Sequence, residues 1–331
     1  MRGEHDTRYR VTLLRAGRLL LDGGGMFGVI PKVVWTRQVQ PDEKNRIEIS
    51  HNCLLLERVG EGDGPRLVLI ESGTGDKLDA KMQSIFGLDA TTVETALLGA
   101  GHKPEDIEAA IISHLHFDHA GGLTRRCREG ETPDWTAMGD DASGDEPRVK
   151  LTFPNAEVIT QRTEWNNALA NDAVMTRTYY RDHLLPLEIP LPDGRPRLRQ
   201  VESPAPFPAG VIPHRDALPD TPLPDRETTV LPGISVFLVP GHTWGQQAVK
   251  FTDERGRTIV FTPDVLPTAW HAGQAFSLSY DVEPYTSMLT KHWLLKEAAE
   301  RGWVLALDHE PGDPFRRVEP DTKGWYRLTV A

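Results

Sequence analysis

Residues 113–122 read SHLHFDHAGG, which crowds His114, His116, Asp118 and His119 into six positions directly behind an apolar run. His114 and His116 are two apart. Alternate side chains on extended backbone point the same way, so both imidazoles can face one point. On a helix they would diverge, and helical zinc motifs use a spacing of about four for that reason. Asp118 and His119 follow where the chain turns, and Gly121 and Gly122 permit close backbone approach before a helix. One short loop can thus offer His114 and His116 to one cation, and Asp118 and His119 to a second.

The partners stand further along the chain. ISVFLVPGHTWG places His242 after an apolar strand and a Pro-Gly turn. RTIVFTPDVLP places Asp264 just beyond the next strand, and WVLALDHEP places His309 beyond a later one. Asp264 or His309 alone reads as an ordinary loop residue. Their shared position at strand ends, where a sheet can bring distant segments to one rim, joins them to the histidine cluster. His5, His51, His102, His183, His214 and His292 match no such position and read as structural.

The elements that must hold these residues are mostly strands. Apolar or alternating runs predict strands at 9–21, 47–58, 66–71, 108–113, 156–160, 234–239, 247–252, 257–262 and 303–307. Helical spacing predicts helices at 91–98, 162–170 and 286–301, the first stopped by Gly99 and Gly101. Two stretches read as loops: an acidic one at 129–147, and a proline-crowded one at 185–233. A loop as long as the second inside a compact domain suggests a functional insertion or an oligomer arm. Several strands follow one another directly, so a pure βαβ sheet is not the expectation.

The 331 residues are read as one domain, 1–331, with the proline-rich insertion at about 185–233. Apolar residues make up 39%, ordinary for a buried core, and the net charge is −11. That sign disfavours nucleic acid and anionic membrane surfaces as partners. Arg125, Arg126 and Arg128 form the densest basic cluster, but an acidic loop follows, and a solvated helix end is the expectation there. No signal-peptide core or transmembrane run is seen, and Cys53 and Cys127 make no disulfide framework. The expected location is the cytoplasm. The N-terminal arm and the proline-rich segment are candidates for a homodimer contact.

The H-x-H-x-D-H pattern at 114–119, with Gly241-His242, Asp264 and His309, resembles the metallo-β-lactamase superfamily, with matching elements from about Leu20 onward. The resemblance implies an α+β fold, a four-layer αββα sandwich with two cations at one edge. His114, His116 and His242 would hold one cation, and Asp118, His119 and His309 the other, with Asp264 bridging. Zinc is the first expectation; manganese, cobalt or iron suit the same donors. The family's early strand and turn usually carries aspartate where this chain has Glu71. Histidine rather than glutamate at His116 disfavours the oxygen-reducing branch. The lack of a cysteine among the ligands differs from many true β-lactamases, and the presence of Asp264 favours a two-metal hydrolase.

The stretch LLLDGGGMFGVIPKVVWTRQ resembles the quorum-quenching lactonase branch, and also the organophosphate hydrolases related to it. The expected reaction is opening of an N-acyl-homoserine lactone-like ring by a hydroxide shared between the cations, with Asp118 orienting it and carrying its proton. A small lactone or ester is the expected partner. Met26 and Phe27 are candidates for an acyl pocket and His271 for a substrate contact. Tyr179, Tyr180, Tyr280 or Tyr285 could assist the developing oxyanion, with Tyr179 carried as the substrate-binding candidate. The alternatives are a phosphotriesterase or arylesterase on the same scaffold, and a non-catalytic metal-binding protein. A glutathione thioesterase of this family would need basic residues that the sequence does not offer.

Overall fold

The computed structural model describes residues 7–137, 148–170, 178–207, 213–214, 218–322 and 324–331. Two large sheets face each other. The first runs in the order Tyr9–Asp22, Arg46–Arg58, Leu67–Ile70, Ala109–Ile111, Glu157–Gln161 and Leu198–Val201. The second runs Thr228–Leu231, Ile234–Leu238, Gln247–Thr252, Thr258–Thr262, Val304–Leu307, Phe315–Pro320 and Tyr326–Val330. Every strand read from the sequence is among them.

Side-chain alternation builds the layers. Leu54 and Leu56 point from Arg46–Arg58 into the space between the sheets, where they meet Val236, Val249, Phe251 and Phe261. Cys53 and Leu55, one residue out of phase, point to the other face, against Val93 and Leu97 of helix Val93–Gly99 and Trp165 of helix Arg162–Ala170. On the far side of the second sheet, Phe237, Val260 and Leu305 pack against Trp293, Leu294 and Ala298 of helix Pro284–Arg301. The result is helix, sheet, sheet, helix, the metallo-β-lactamase fold.

What positions the site is strand direction. Leu67–Ile70, Ala109–Ile111 and Glu157–Gln161 are mutually parallel, as are Thr258–Thr262 and Val304–Leu307. Parallel neighbours deliver their C-terminal ends to the same edge, where ligands of α/β sheets gather. Glu71 and the 113–122 loop leave one sheet side by side, and Asp264 and His309 leave the other. Gly121 and Gly122 let that loop lie on the turn after Leu67–Ile70: a Cβ would sit 2.1 Å from the Thr74 carbonyl oxygen at Gly121 and 2.0 Å from that of Ser72 at Gly122.

Three expectations need correction. The stretch 185–233 is not wholly irregular. Leu198–Val201 is a parallel edge strand of the first sheet, and Thr228–Leu231 an antiparallel edge strand of the second. Each is four residues long and flanked by proline, too short for an alternation signal. The 129–147 stretch holds Trp135–Thr136, which pairs with Arg148–Leu151 in a small sheet completed by Thr124–Arg126; residues 138–147 lie outside the described ones. Arg125 and Arg126 are therefore strand residues, and Arg125 pairs with Glu131 rather than capping a helix. The strands Phe315–Pro320 and Tyr326–Val330, charged and half exposed, carry no apolar run to announce them. Among the described residues no helix is long and apolar enough to cross a membrane.

Candidate metal centre

The seven side chains singled out by spacing converge at the sheet edge, none more than 8% exposed. His114 Nε2 lies 3.2 Å from His116 Nδ1, and His242 Nε2 lies 3.0 Å from that same atom. Asp264 Oδ2 is 3.0 Å from His242 Nε2 and 3.9 Å from His114 Nε2. Beside this group lies a second. His309 Nε2 is 3.2 Å from Asp264 Oδ1, and His119 Nε2 is 3.8 Å from Asp264 Oδ2. Asp118 Oδ2 is 3.6 Å from His309 Nε2 and 3.8 Å from His119 Nε2. Asp264 thus faces both groups.

Two observations test whether these residues fit cations. Three ring nitrogens aimed at one point cannot satisfy one another, since at most one can donate to the next. His119 Nε2 is buried with no hydrogen-bond partner, although buried polar atoms are nearly always paired. A divalent ion at each position would satisfy both, and nitrogen and carboxylate donors suit zinc and its neighbours. The electrostatics agree. Burial pushes His114 and His116 well below the ordinary imidazole range. Burial acts on His242 and His119 as well, but Asp264 and Asp281 together outweigh it at His242, pushing it up to about 10. Asp118 and Glu71 do the same at His119, pushing it up to about 9. The carboxylates make this spot attractive to positive charge.

The other ring nitrogens are held from behind, which sets tautomer and orientation. His119 Nδ1 meets Glu71 Oε2 at 3.1 Å, His242 Nδ1 meets Asp281 Oδ1 at 2.9 Å, and His309 Nδ1 donates to the Ser50 carbonyl at 2.9 Å. Glu71 is one of two described non-glycine residues at positive φ, +67°. Its Oε1 accepts from the Ser113 backbone N–H at 2.7 Å, so the strained turn ties His119 to the start of the histidine loop.

Glu164 plays the same part on the other side. Fully buried, it accepts from the Leu115 N–H at 3.0 Å and the Thr243 hydroxyl at 2.6 Å, and the Tyr179 hydroxyl lies 3.3 Å away. It therefore clasps the residue between His114 and His116 to the residue after His242. Sequence reasoning missed Glu164 and Asp281. An acid inside a helical run or a turn looks like surface, and only the packing puts these two against the site. His51 and His183 are buried, and His51 Nε2 meets the Thr74 hydroxyl at 2.9 Å; His5 lies outside the described residues.

A cavity of about 620 Å³ opens onto the centre. Leu21, Met26, Met82, Phe86, Phe117 and Leu278 give it apolar walls, and His116, Asp118, His242, Asp264 and His309 its floor. Tyr179, Tyr180 and Tyr280 also border it, while Tyr285 is 39% exposed elsewhere. Phe27 and His271 do not fit the expectation of a substrate contact. Phe27 is fully buried, stacked between Trp35 and His271 at centroid distances of 5.1 and 4.9 Å. Both His271 nitrogens are engaged, with the Thr268 hydroxyl at 2.8 Å and the Met26 carbonyl at 2.7 Å. These two side chains stand one layer behind Met26 and hold it in the wall.

Comparison with known proteins agrees with this geometry. The chain is 23% identical over 164 residues to an N-acyl homoserine lactonase of Bacillus thuringiensis, covering 50% of this chain and 40% of that protein. It matches another from Bacillus cereus at 25% over 173 residues, covering 52% and 44%. The chain thus spans well under two thirds of the relatives it matches. Among solved structures, a probable metal-dependent hydrolase from Staphylococcus aureus superposes with a TM-score of 0.72 at 22% identity, covering 98% of both chains. AidC, described as a dizinc quorum-quenching lactonase, superposes with a TM-score of 0.66 at 15% identity, covering 99% and 98%. At such identities the structural likeness speaks for the fold. The family model described as the metallo-beta-lactamase superfamily matches residues 46–309, most of the chain and every proposed ligand, and on that ground the chain belongs to the metallo-beta-lactamase superfamily.

Proposed function

We propose that this chain is a two-cation hydrolase that opens N-acyl-homoserine lactone-like rings. The observation that carries the reading is the juxtaposition of a deep apolar cavity with a floor of histidines and aspartates. It suits a molecule with an apolar tail and a hydrolysable polar head, and its volume lies in the range typical of small-ligand sites. His114, His116 and His242 would hold one cation, Asp118, His119 and His309 the other, and Asp264 both. Bound there, divalent cations, zinc first among them, would polarise a carbonyl and ease the ionisation of a water.

The remaining work falls to the chain's own groups. Asp118, on the cavity floor, takes the proton of the attacking water and returns it to the ring oxygen as that bond breaks. Tyr280 is the tyrosine we assign to the carbonyl oxygen. Burial, then Asp22, Asp118 and Asp264, push its hydroxyl up to about 12, so it remains a donor at neutral pH. The Tyr179 hydroxyl already faces Glu164. The walls exclude water and seat the acyl chain. The free thiols of Cys53 and Cys127 accord with a reducing, cytoplasmic setting.

The test is a substrate panel on zinc- and manganese-loaded protein with acid release followed by pH-stat: homoserine lactones of increasing acyl length, phenyl acetate and paraoxon. Lactones turned over fastest, with KM falling as the chain lengthens, support the reading. Faster turnover of paraoxon assigns the chain to phosphotriester chemistry, and bound metal with no turnover of any substrate refutes an enzymatic role. Asp264→Ala should lose metal and turnover together; two ions retained at full turnover would remove its bridging role.

A further inference from the structure

Asp308 has no part in the two positions described so far. It leaves the end of strand Val304–Leu307, immediately before His309, and is 2% exposed. Neither of its carboxylate oxygens has a hydrogen-bond partner. One of them lies within 4.8 Å of the ligand atoms of His119, Asp264 and His309, and Oδ2 is 3.8 Å from His309 Nε2.

None of its neighbours donates a hydrogen bond to it. The Asn52 amide donates to the Leu307 and Glu310 carbonyls, and His51 Nε2 is engaged with Thr74. A small cavity of about 10 Å³ beside it is bordered by Cys53, Glu71, Asp118 and three histidines, His51, His119 and His309. His309 and His119 favour its charged form, while Asp264 and Glu71 add negative charge nearby. A carboxyl withdrawn from water stays ionised only when paired, hydrogen-bonded or bound to a metal. No hydrogen-bond donor reaches Asp308, and the one imidazole at ion-pair distance, His309 Nε2 at 3.8 Å, faces the same point as His119 and Asp264, where a cation would serve all four.

We propose that Asp308 is a ligand of the second cation, an inference that rests on the metal-centre reading but not on the choice of substrate. The two positions are then chemically unequal. The first offers three imidazoles and a share of Asp264, a set suited to four-coordinate zinc. The second offers His119, His309 and three carboxylates, Asp118, Asp264 and Asp308. More oxygen donors and a higher coordination number favour a harder ion such as manganese or ferrous iron. The chain is built for a mixed pair.

The experiment uses the full chain, stripped of metal and checked for fold by circular dichroism. Zinc and manganese are titrated separately by calorimetry, then offered together in equal amounts, with elemental analysis of what remains after gel filtration. The wild type should hold two ions and, from the mixture, one of each. Asp308→Asn should keep the first zinc unchanged and lose at least about tenfold in manganese affinity at the second position. A second manganese bound by Asp308→Asn as tightly as by wild type would overturn the ligand assignment. Two zincs taken by wild type from the mixture would overturn the preference. Should the variant not fold, anomalous diffraction at the manganese edge on wild-type crystals decides. It locates an Asp308 oxygen either at bonding distance from the ion or away from it. A wild type that binds no second ion refutes the metal-centre reading itself, whereas two ions with no effect at Asp308 refute this proposal alone.

Discussion

Glu164→Ala removes the clasp between the histidine loop and the His242 loop. In the wild type the carboxylate accepts from Leu115 N–H at 3.0 Å and from Thr243 Oγ1 at 2.6 Å, both residues buried, while Tyr179, at the cavity wall, is 3.3 Å away. Alanine strands two buried donors, and each stranded group costs about 1–3 kcal/mol. Some is recovered, because burial already pushes the Glu164 carboxyl up against its hydrogen bonds and the variant escapes that desolvation. The net loss should be on the order of 2–4 kcal/mol, with Glu164→Gln, which keeps one acceptor and the volume, in between. The clasp also aligns His116 and His242, so metal affinity at the first position should fall about 10–100-fold, as is usual when an outer partner of a ligand is removed. Urea unfolding of metal-free protein measures the first effect, and competition against a chromophoric chelator the second. A Glu164→Ala protein within about 0.5 kcal/mol of wild type, the range of neutral surface changes, and with unaltered zinc affinity would refute the reasoning.

Gly25→Ala would place a Cβ 2.1 Å from the Tyr280 hydroxyl oxygen, forcing that ring from its place; kcat/KM for a lactone should drop at least about tenfold, roughly 1.4 kcal/mol, with metal content unchanged. Lys291 is 1% exposed in helix Pro284–Arg301, its ammonium donating to the Phe276 carbonyl, and burial pushes it down to about 7 against the pull of Asp281. Between that value and the ordinary lysine range the unfolded chain holds the extra proton, so Lys291 makes stability rise with pH there, by up to about 1.4 kcal/mol per unit. The melting-temperature difference between Lys291→Met and wild type should therefore move in favour of wild type from pH 7 to pH 10, and calorimetry at both values checks it.

That these seven side chains would share one sheet edge was legible from the chain because it is written in short range. Histidines two apart behind an apolar run must share a side, and an acid or histidine just past a strand must lie at a sheet edge. Strands with continuous apolar runs and helices with clear stops were legible for the same reason. The edge strand Leu198–Val201 and the C-terminal pair Phe315–Pro320 and Tyr326–Val330 were not, since what makes them strands is the neighbour they pair with. The groups that hold the site in place depend on tertiary structure still more. Asp281 reaches His242 across 39 positions and Glu71 reaches His119 across 48, meetings that no local pattern encodes. Phe27 and His271 show the converse: their types suit a pocket wall, but the stack between Trp35 and Thr268 puts them behind it. Residue type and spacing declare what a side chain can bind; which atoms it meets, and whether water reaches it, follows only once the layers have closed.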